Sequence, residues 1–187
     1  MNLARRGVPV SKVVDLNDVV ANYLDSPEYG GLISAHPLVE VETSLTADLN
    51  MLGSGVHLSK TVMNLVSNAL EAMPAGGRLN ITTVNQYVDR PIRGYDDVDE
   101  GDYIVLTVAD TGTSIPPEDI DRLFEPFYTK KKMGRTSGTG LGVDVVWGTV
   151  KDHRGYIDLR SAMGQGTTFT LYFPVTRREL KKKKRYR

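Results

Sequence analysis

The sequence predicts an α/β (α+β) two-layer sandwich, in which helices cover one face of a mixed, mostly antiparallel sheet of about five strands. Two patterns predict this class. Segments with strand and helix periodicity are interspersed along the 187 residues, and the last two strand segments are adjacent, so they form a hairpin. The chain is 40% apolar and 25% charged, which is ordinary for one globular domain that buries its own core.

Three elements are predicted in the first half of the chain. Residues 15–24 form a helix, because Asp15 can cap it and its apolar side chains follow helical spacing. Residues 38–45 alternate between apolar and polar side chains, as a half-buried strand does. Residues 56–73 form the strongest helix, which ends at Pro74 and the glycines that follow it.

The second half continues the mixture. Strands are predicted over residues 78–87, 102–110, 155–161 and 167–173. A short helix is predicted over residues 116–124, which begin with prolines and acidic residues, and a longer one over residues 141–153. The polar, glycine-rich stretch between these helices has about 15 residues, a length that suggests a functional loop.

Composition and charge exclude several classes of protein. The chain has no cysteine, hence no disulfide framework and no thiolate metal site, which fits a cytoplasmic protein. No apolar run approaches the ~20 residues of a membrane span, so we expect no membrane contact. Residues 177–187 hold eight of the 23 Lys and Arg residues. We expect them to form a basic, disordered tail, and we expect the acidic remainder to bind no specific nucleic acid.

The second half of the helix predicted over residues 56–73 carries a polar stripe, within residues 64–73. Asn64, Asn68 and Glu71 fall at positions i, i+4 and i+7, on one helical face. Amide and carboxylate oxygens beside an apolar surface can present ligands to a hard cation, and Mg²⁺ completes its shell with waters and phosphates. The alternative is an exposed polar stripe without a ligand.

Asp110 ends a predicted strand, and Gly112 follows in a turn. A carboxylate fixed at a strand end can accept a hydrogen bond from an exocyclic amine, such as that of adenine. The alternative is an Asx-turn that merely ends the strand.

Two further segments flank the functional loop. Phe124, Phe127 and Tyr128 precede three lysines, so the aromatics could anchor a lid and the lysines could meet phosphates, or the aromatics could simply fill the core. The glycines at positions 138, 140 and 142 lead directly into a helix, whose N-terminus favours an anion. Their spacing fits neither a P-loop nor a dinucleotide-binding fingerprint.

In order and spacing, these four segments resemble the N, G1, F and G2 boxes of sensor histidine kinases, and residues 164–169 resemble the hairpin that closes that domain. The resemblance covers roughly residues 15–175. It implies a Bergerat-type ATP-binding fold of the gyrase and histidine kinase superfamily, with ATP and Mg²⁺ as cofactors. Residues 11–176 would be this catalytic domain, and residues 1–10 would end a preceding dimerisation helix.

The resemblance also implies roles for individual residues. Asn64, Asn68 and Glu71 would form the catalytic face, with Asn68 as the Mg²⁺ ligand and Asn64 on its phosphate side. Asp110 would read adenine, and Gly112 would form its turn. The remaining nucleotide-binding residues would be Ile115, Phe127, Lys130, Lys131, Gly138, Thr139, Gly140, Leu141, Gly142 and Thr168. Residues 129–139 carry cations and little apolar surface, so we expect a lid that orders with ATP.

Two features depart from that family. Ser114 stands where the G1 box usually has glycine, and serine would cost energy if the position requires positive φ. His36, His57 and His153 lack the sequence context of a phospho-acceptor; we place the first in a loop, the second at a helix start and the third at a helix end. The partners would therefore be a histidine-bearing dimerisation domain outside this monomeric chain and a response regulator receiver domain.

Four other functions are compatible with parts of the sequence. A gyrase-type ATP hydrolase places a glutamate base one turn before the metal-binding asparagine, where this chain has Asn64, so water activation would be poor. A related serine kinase is disfavoured by the aromatic box and the long loop. A non-catalytic ATP-sensing scaffold is favoured only by Ser114. A nucleic-acid module acting through the basic tail would show salt-dependent DNA binding.

Overall fold

The computed structural model describes residue 10 and residues 12–124 and 143–179. Its strands are β1 (Lys12–Val14), β2 (Val39–Leu45), β3 (Asn50–Gly53), β4 (Gly77–Val88), β5 (Gly101–Asp110), β6 (Tyr156–Ala162) and β7 (Gly166–Thr176). Its helices are α1 (Leu16–Leu24), α2 (Pro27–Ser34), α3 (Gly55–Glu71), α4 (Pro117–Ile120) and α5 (Val143–Asp152). Over these ranges, no helix has the length and apolar character needed to cross a membrane.

The strands form one seven-stranded sheet in the order β1-β3-β7-β5-β4-β2, with β6 paired to β7. Only the pairing of β2 with β4 is parallel, and the other described pairings are antiparallel. The predicted fold class is confirmed, but the prediction of about five strands was too low. It missed β1 and β3, which have three and four residues and are too short to show an alternating pattern. It also missed α2.

The helices pack against one face of the sheet. Leu65, Val66 and Leu70 of α3 are almost completely buried in the main core, together with Leu106 of β5 and Leu171 of β7. Successive side chains of a strand point to opposite faces. The helix-facing positions of β5 therefore end at Asp110, and the helix-facing positions of β7 begin at Thr167, which is paired with it.

The opposite face of the sheet carries a second, smaller core. Val88, Val98, Tyr103, Val105 and Tyr172 are buried there. The acidic loop of residues 89–100, which joins β4 to β5, folds back over these side chains. This loop is also fastened at the β6 edge, where Asp96 accepts a hydrogen bond from the N–H of Ile157 at 3.2 Å and pairs with Lys151 of α5.

His153 links the ends of two helices. Its Nδ1 lies 2.7 Å from the carbonyl oxygen of Thr149, and its Nε2 accepts a hydrogen bond from the N–H of Ser54 at 3.0 Å. Ser54 is the N-cap residue of α3 and makes no capping bond with its own side chain, so the imidazole satisfies part of that helix end. The predicted places of the three histidines agree with the structure, since His36 follows α2, His57 lies in the first turn of α3 and His153 follows α5.

Candidate functional site

The polar stripe on α3 runs from the core to the surface. Asn64 is 2% exposed, Asn68 is half-buried and Glu71 is exposed. Within the described ranges, Nδ2 of Asn64 is buried without a hydrogen-bond partner, as is Oγ1 of Thr61 one turn earlier. Buried polar groups are normally hydrogen-bonded, so this stripe is suited to contact a polar ligand. The sequence prediction did not include Thr61, although its place one turn before Asn64 on the same helical face was a usable signal.

Asp110 lies at the other end of the candidate site and is only 7% exposed. Its Oδ1 accepts a hydrogen bond from the N–H of Gly112 at 2.9 Å, and the backbone N–H of Thr167 donates to the same carboxyl group. Burial raises the pKa of Asp110 above its ordinary value, and the two backbone donors lower it by less. The carboxylate would therefore gain from one more donor in this apolar setting.

The Asp110 turn, which we define as residues 110–116, is fastened to the end of α3. The N–H of Thr113 donates to the carbonyl oxygen of Ala72 at 2.9 Å. A Cβ at Gly112 would lie 2.2 Å from that same oxygen, so glycine is required here for close approach and not for positive φ. This contact brings the adenine-reading candidate to the end of α3 that carries Asn68 and Glu71.

Ser114 carries no backbone penalty. Among the residues that the structure describes, Arg154 is the non-glycine residue with positive φ, so the condition under which Ser114 would cost energy is not met. Its hydroxyl instead donates a hydrogen bond to the carbonyl oxygen of Ala162, and the N–H of the adjacent Ile115 donates to Oγ of Ser161 at 2.8 Å. Ile115 is thus held against β6 by its backbone N–H.

Thr168 does not lie where it was expected. The register of β7 pairs Thr167 with Asp110 and Thr168 with Ala109, so the side chain of Thr168 is on the face of the sheet opposite to Asp110. The threonine whose side chain shares a face of the sheet with Asp110 is Thr167, one residue before the predicted Thr168. The sequence held the signal, because Phe169 is a core residue and its face is shared by Thr167.

Most of the expected phosphate-binding residues fall on residues 125–142, outside the described ranges, and so does the expected lid. They are Phe127, Lys130, Lys131, Gly138, Thr139, Gly140, Leu141 and Gly142. Near this stretch, the described rings of Phe124 and Trp147 have centroids 5.1 Å apart, and the ring centroid of Tyr95 lies 5.2 Å from that of Phe124. Residues 1–9 of the expected helix end and residues 180–187 of the expected tail also lie outside the described ranges, whereas Arg177 at the start of that tail donates a hydrogen bond to Asp102 at 3.0 Å.

The donor set fits a magnesium ion only in part. Across the described ranges, no group of three or more His, Cys, Asp and Glu side chains could hold a metal ion. The half-buried amide of Asn68 offers one oxygen ligand, and Mg²⁺ commonly takes its others from waters and substrate phosphates. The residues present therefore fit a metal that arrives with a nucleotide, and they do not fit a metal held by the protein alone.

Comparison with known proteins decides the family. Residues 53–177, which include the α3 stripe, the Asp110 turn and the closing hairpin, match the family described as histidine kinase-, DNA gyrase B-, and HSP90-like ATPase. The chain belongs to this family. An ATP-binding domain of the predicted class is thereby confirmed.

Individual relatives point to the sensor kinases within it. The chain is 42% identical over 119 residues to the sensor kinase CckA of Brucella abortus, covering 63% of this chain and 12% of the relative. It is 30% identical over 164 residues to the sensor histidine kinase RppB of Synechocystis, covering 86% and 32%. The chain therefore spans less than a third of the length of these curated relatives. Their names confirm the predicted resemblance to sensor histidine kinases.

Solved structures agree. The mycobacterial sensor histidine kinase MprB superposes with a TM-score of 0.65 at 26% identity, covering 89% of this chain and 98% of that one. The catalytic domain of the histidine kinase ThkA gives the same TM-score at 22% identity, covering 87% and 94%, and so shows a shared fold. Nearly the whole of each of these solved domains is matched by this chain.

Proposed function

We propose that this chain is the ATP-binding catalytic domain of a two-component sensor histidine kinase, and that it transfers the γ-phosphoryl group of ATP to a histidine on a dimerisation domain. One observation carries the proposal. A buried carboxylate at the end of β5 and a stripe of two asparagines on α3 are joined through the contact of Thr113 with Ala72. A base-reading group and a phosphate-side group therefore line one site.

Asp110 is the group that would read the base. The N6 amine of adenine is a donor, and a carboxylate is an acceptor that already holds two backbone N–H groups on its other lone pairs. Guanine and hypoxanthine present a carbonyl oxygen at the equivalent edge, which would repel the carboxylate. Adenine nucleotides are therefore expected to bind in preference to GTP and ITP.

The α3 stripe is the phosphate side of the site. Asn68 would hold Mg²⁺, which would neutralise charge on the transferred phosphoryl group. Asn64, one turn earlier, is an amide and cannot act as a general base, and Glu71 lies one turn on the other side of Asn68. A site without a positioned base activates water poorly, which favours transfer to a nucleophile such as imidazole over hydrolysis. A gyrase-type hydrolase is therefore the second candidate function.

The acceptor and the partners follow from the histidines of the chain. His153 is buried with both ring nitrogens in hydrogen bonds. Nδ1 of His36 lies 2.9 Å from the carbonyl oxygen of Leu32, and Nδ1 of His57 lies 2.7 Å from Oγ of Ser54. We therefore assign the acceptor to the parent kinase's dimerisation domain, and the next recipient to a response regulator. Since ATP is the substrate, the site would face the cytoplasm.

Transfer can be tested with ATP labelled at the γ-phosphate, using the chain with and without the dimerisation domain of its parent kinase. We expect an acid-labile, alkali-stable label, as on phosphohistidine, on the added domain and none on the chain alone. The Asn68→Ala variant is the matched control and should transfer no label. Free phosphate released by the chain alone at the rate of transfer would instead establish a hydrolase.

A further inference from the structure

The Asp110 turn is held from a second side by the hairpin of β6 and β7, and this contact is made by two serine hydroxyls. Ser114 donates to the carbonyl oxygen of Ala162, the last residue of β6. Ser161, one residue earlier on the hairpin, accepts a hydrogen bond from the N–H of Ile115 at 2.8 Å. In both bonds the turn supplies the donor and the hairpin supplies the acceptor, so two consecutive residues of the turn are bonded to two consecutive residues of the hairpin.

Ser161 is at the centre of this arrangement. Its Oγ donates to the carbonyl oxygen of Gly166 at 3.2 Å and lies 2.9 Å from Oγ1 of Thr167. A hydroxyl has one hydrogen and two acceptor sites. Because that hydrogen is directed to Gly166, the hydroxyl of Thr167 is the donor to Ser161, and the bond from Ile115 fills the second acceptor site. All three positions of the Ser161 hydroxyl are thus used within the protein.

This hydroxyl network leads directly to Asp110. Thr167, which donates to Ser161 through its side chain, also donates its backbone N–H to the Asp110 carboxyl group. A Cβ at Gly166 would lie 2.0 Å from the backbone oxygen of Asp110, so the hairpin is pressed against the turn at this point. Ser161 therefore contacts Thr167, whose backbone N–H holds the Asp110 carboxylate, and Ile115, which belongs to the Asp110 turn.

We propose that Ser161 and Ser114 are positioning residues for nucleotide recognition: they clamp the Asp110 turn onto the β6–β7 hairpin and so hold the Asp110 carboxylate in the orientation that selects the amine of adenine. The proposal rests on the proposed function, because it assigns Asp110 to the base. It explains why serine is suited to position 114, where its hydroxyl adds a bond that glycine could not make.

Two loss-of-hydroxyl variants and one matched control test the clamp. The variants are Ser161→Ala and Ser114→Ala. The control is Ser34→Ala, which removes an exposed hydroxyl that donates to the carbonyl oxygen of Gly30 at 2.8 Å in α2, away from the Asp110 turn. Each protein is examined without nucleotide by amide hydrogen exchange, and with ATP or ITP by displacement of a fluorescent nucleotide.

Without nucleotide, we expect the Ile115 amide to exchange faster in Ser161→Ala than in the wild type and the Ser34 control. With nucleotide, the preference for ATP over ITP should fall about three- to tenfold, the effect of one to two lost hydrogen bonds, with ITP affinity unchanged. Ser161→Thr, which keeps the hydroxyl, should restore the preference. Ser114→Ala should also lower the preference for ATP over ITP, but by less. If Ser161→Ala fails to fold, the preference measured for Ser114→Ala tests the clamp.

Two results would overturn the clamp. One is unchanged exchange at Ile115 in Ser161→Ala. The other is faster exchange with an undiminished preference for ATP, because the hydroxyls would then be structural only. Failure of the proposed function looks different, since wild-type protein would then bind ATP and ITP alike, or neither, before any serine was changed. That result would also remove the basis of the clamp.

Discussion

The two ends of the candidate site differ in how completely the protein satisfies them. Asp110 is buried, and its carboxyl group receives two backbone N–H groups, one from its own turn and one from β7. Asn64 is buried still more deeply, yet its Nδ2 has no hydrogen-bond partner within the described ranges. At the base-reading end the fold supplies hydrogen bonds to the buried carboxyl group, whereas at the phosphate-side end it leaves buried polar atoms unpaired, which costs stability.

The two ends should therefore respond differently to mutation. A buried polar atom without a partner costs about 1–3 kcal/mol, so the unpaired amide of Asn64 opposes folding. Asp110 also costs stability at neutral pH, because burial raises its pKa, but its cost is reduced by the two backbone donors.

Replacement of Asn68 by alanine should have the largest effect. If its amide is the only protein ligand to Mg²⁺, the variant should lose the Mg²⁺-dependent part of ATP affinity and phosphotransfer should fall by about two orders of magnitude, or ~3 kcal/mol. Titration with ATP in the presence and absence of Mg²⁺ measures this. Mg-ATP binding equal to that of the wild type would remove Asn68 from the metal site.

Replacement of Asp110 by asparagine should weaken ATP binding by about 1.5–3 kcal/mol, the value of a hydrogen bond to a charged group. An amide can turn its own NH₂ towards the N6 amine, so that two donors face each other and ATP affinity falls. ITP affinity should not fall, because ITP has no amine at this edge. Displacement titrations with ATP and ITP separate the two. The apo variant should also be more stable at neutral pH, because the raised pKa of Asp110 means that its charged form opposes folding. Equal loss for both nucleotides would contradict base reading.

Asn64→Leu tests the other end by its stability. Leucine has the same number and branching of side-chain heavy atoms as asparagine and leaves no polar atom unpaired, but its methyl groups are bulkier. The free energy of unfolding should therefore rise by about 1 kcal/mol while phosphotransfer falls. Urea unfolding without nucleotide measures the first effect. Asn80→Leu on the exposed side of β4 is the control and should give no such gain. Destabilisation of both Asn64→Leu and the smaller Asn64→Val would mean that the amide is satisfied in solution.

Replacement of His153 should have the smallest effect. Both of its ring nitrogens are hydrogen-bonded, so it is the fully paired counterpart of Asn64. Burial lowers its pKa, opposed by the hydrogen bond to Thr149 and by Asp152, and assisted by His57. The unfolded chain binds a proton near pH 6.5, whereas the folded chain resists it. The free energy of unfolding therefore includes the full contribution of neutral His153 above about pH 6.5, and it loses that contribution as pH falls towards the pKa of His153 in the folded chain.

The measurement for His153 is urea unfolding as a function of pH. His153→Gln should remove the part of the acid destabilisation that begins near pH 6.5, whereas His36→Gln, just after α2, should leave it in place. Identical pH profiles for wild type and His153→Gln would show that the imidazole does not resist protonation in the fold.

Parts of this architecture could be predicted from the sequence because they have periodic signals. Helix α3, with its apolar residues interrupted by Asn64 and Asn68, and the alternating strands β4 and β5 were located to within one or two residues. The short strands β1 and β3 offer too few residues for a period to show. Their places are set by pairing with distant strands, which is a property of the folded chain.

The site was harder to predict than the fold for a related reason. Asp110 and Asn68 stand out by residue type, but the choice between Thr167 and Thr168 depends on which face of β7 packs on the helices. The hydroxyl contacts of Ser114 and Ser161 join segments more than 45 residues apart, and no local pattern specifies them. The sequence also could not show whether position 114 requires positive φ, and hence whether Ser114 would cost energy, because that depends on the folded backbone.

The central property of the proposed site is that it binds an adenine nucleotide together with Mg²⁺. Calorimetric titration of the chain with a non-hydrolysable ATP analogue, with and without Mg²⁺, and with the corresponding ITP analogue, tests this in one experiment. We expect a micromolar to millimolar dissociation constant, roughly −4 to −8 kcal/mol, which is tighter with Mg²⁺ and weaker for the ITP analogue. Binding that ignores both the metal and the base, or no binding at all, would contradict the assignment of this site.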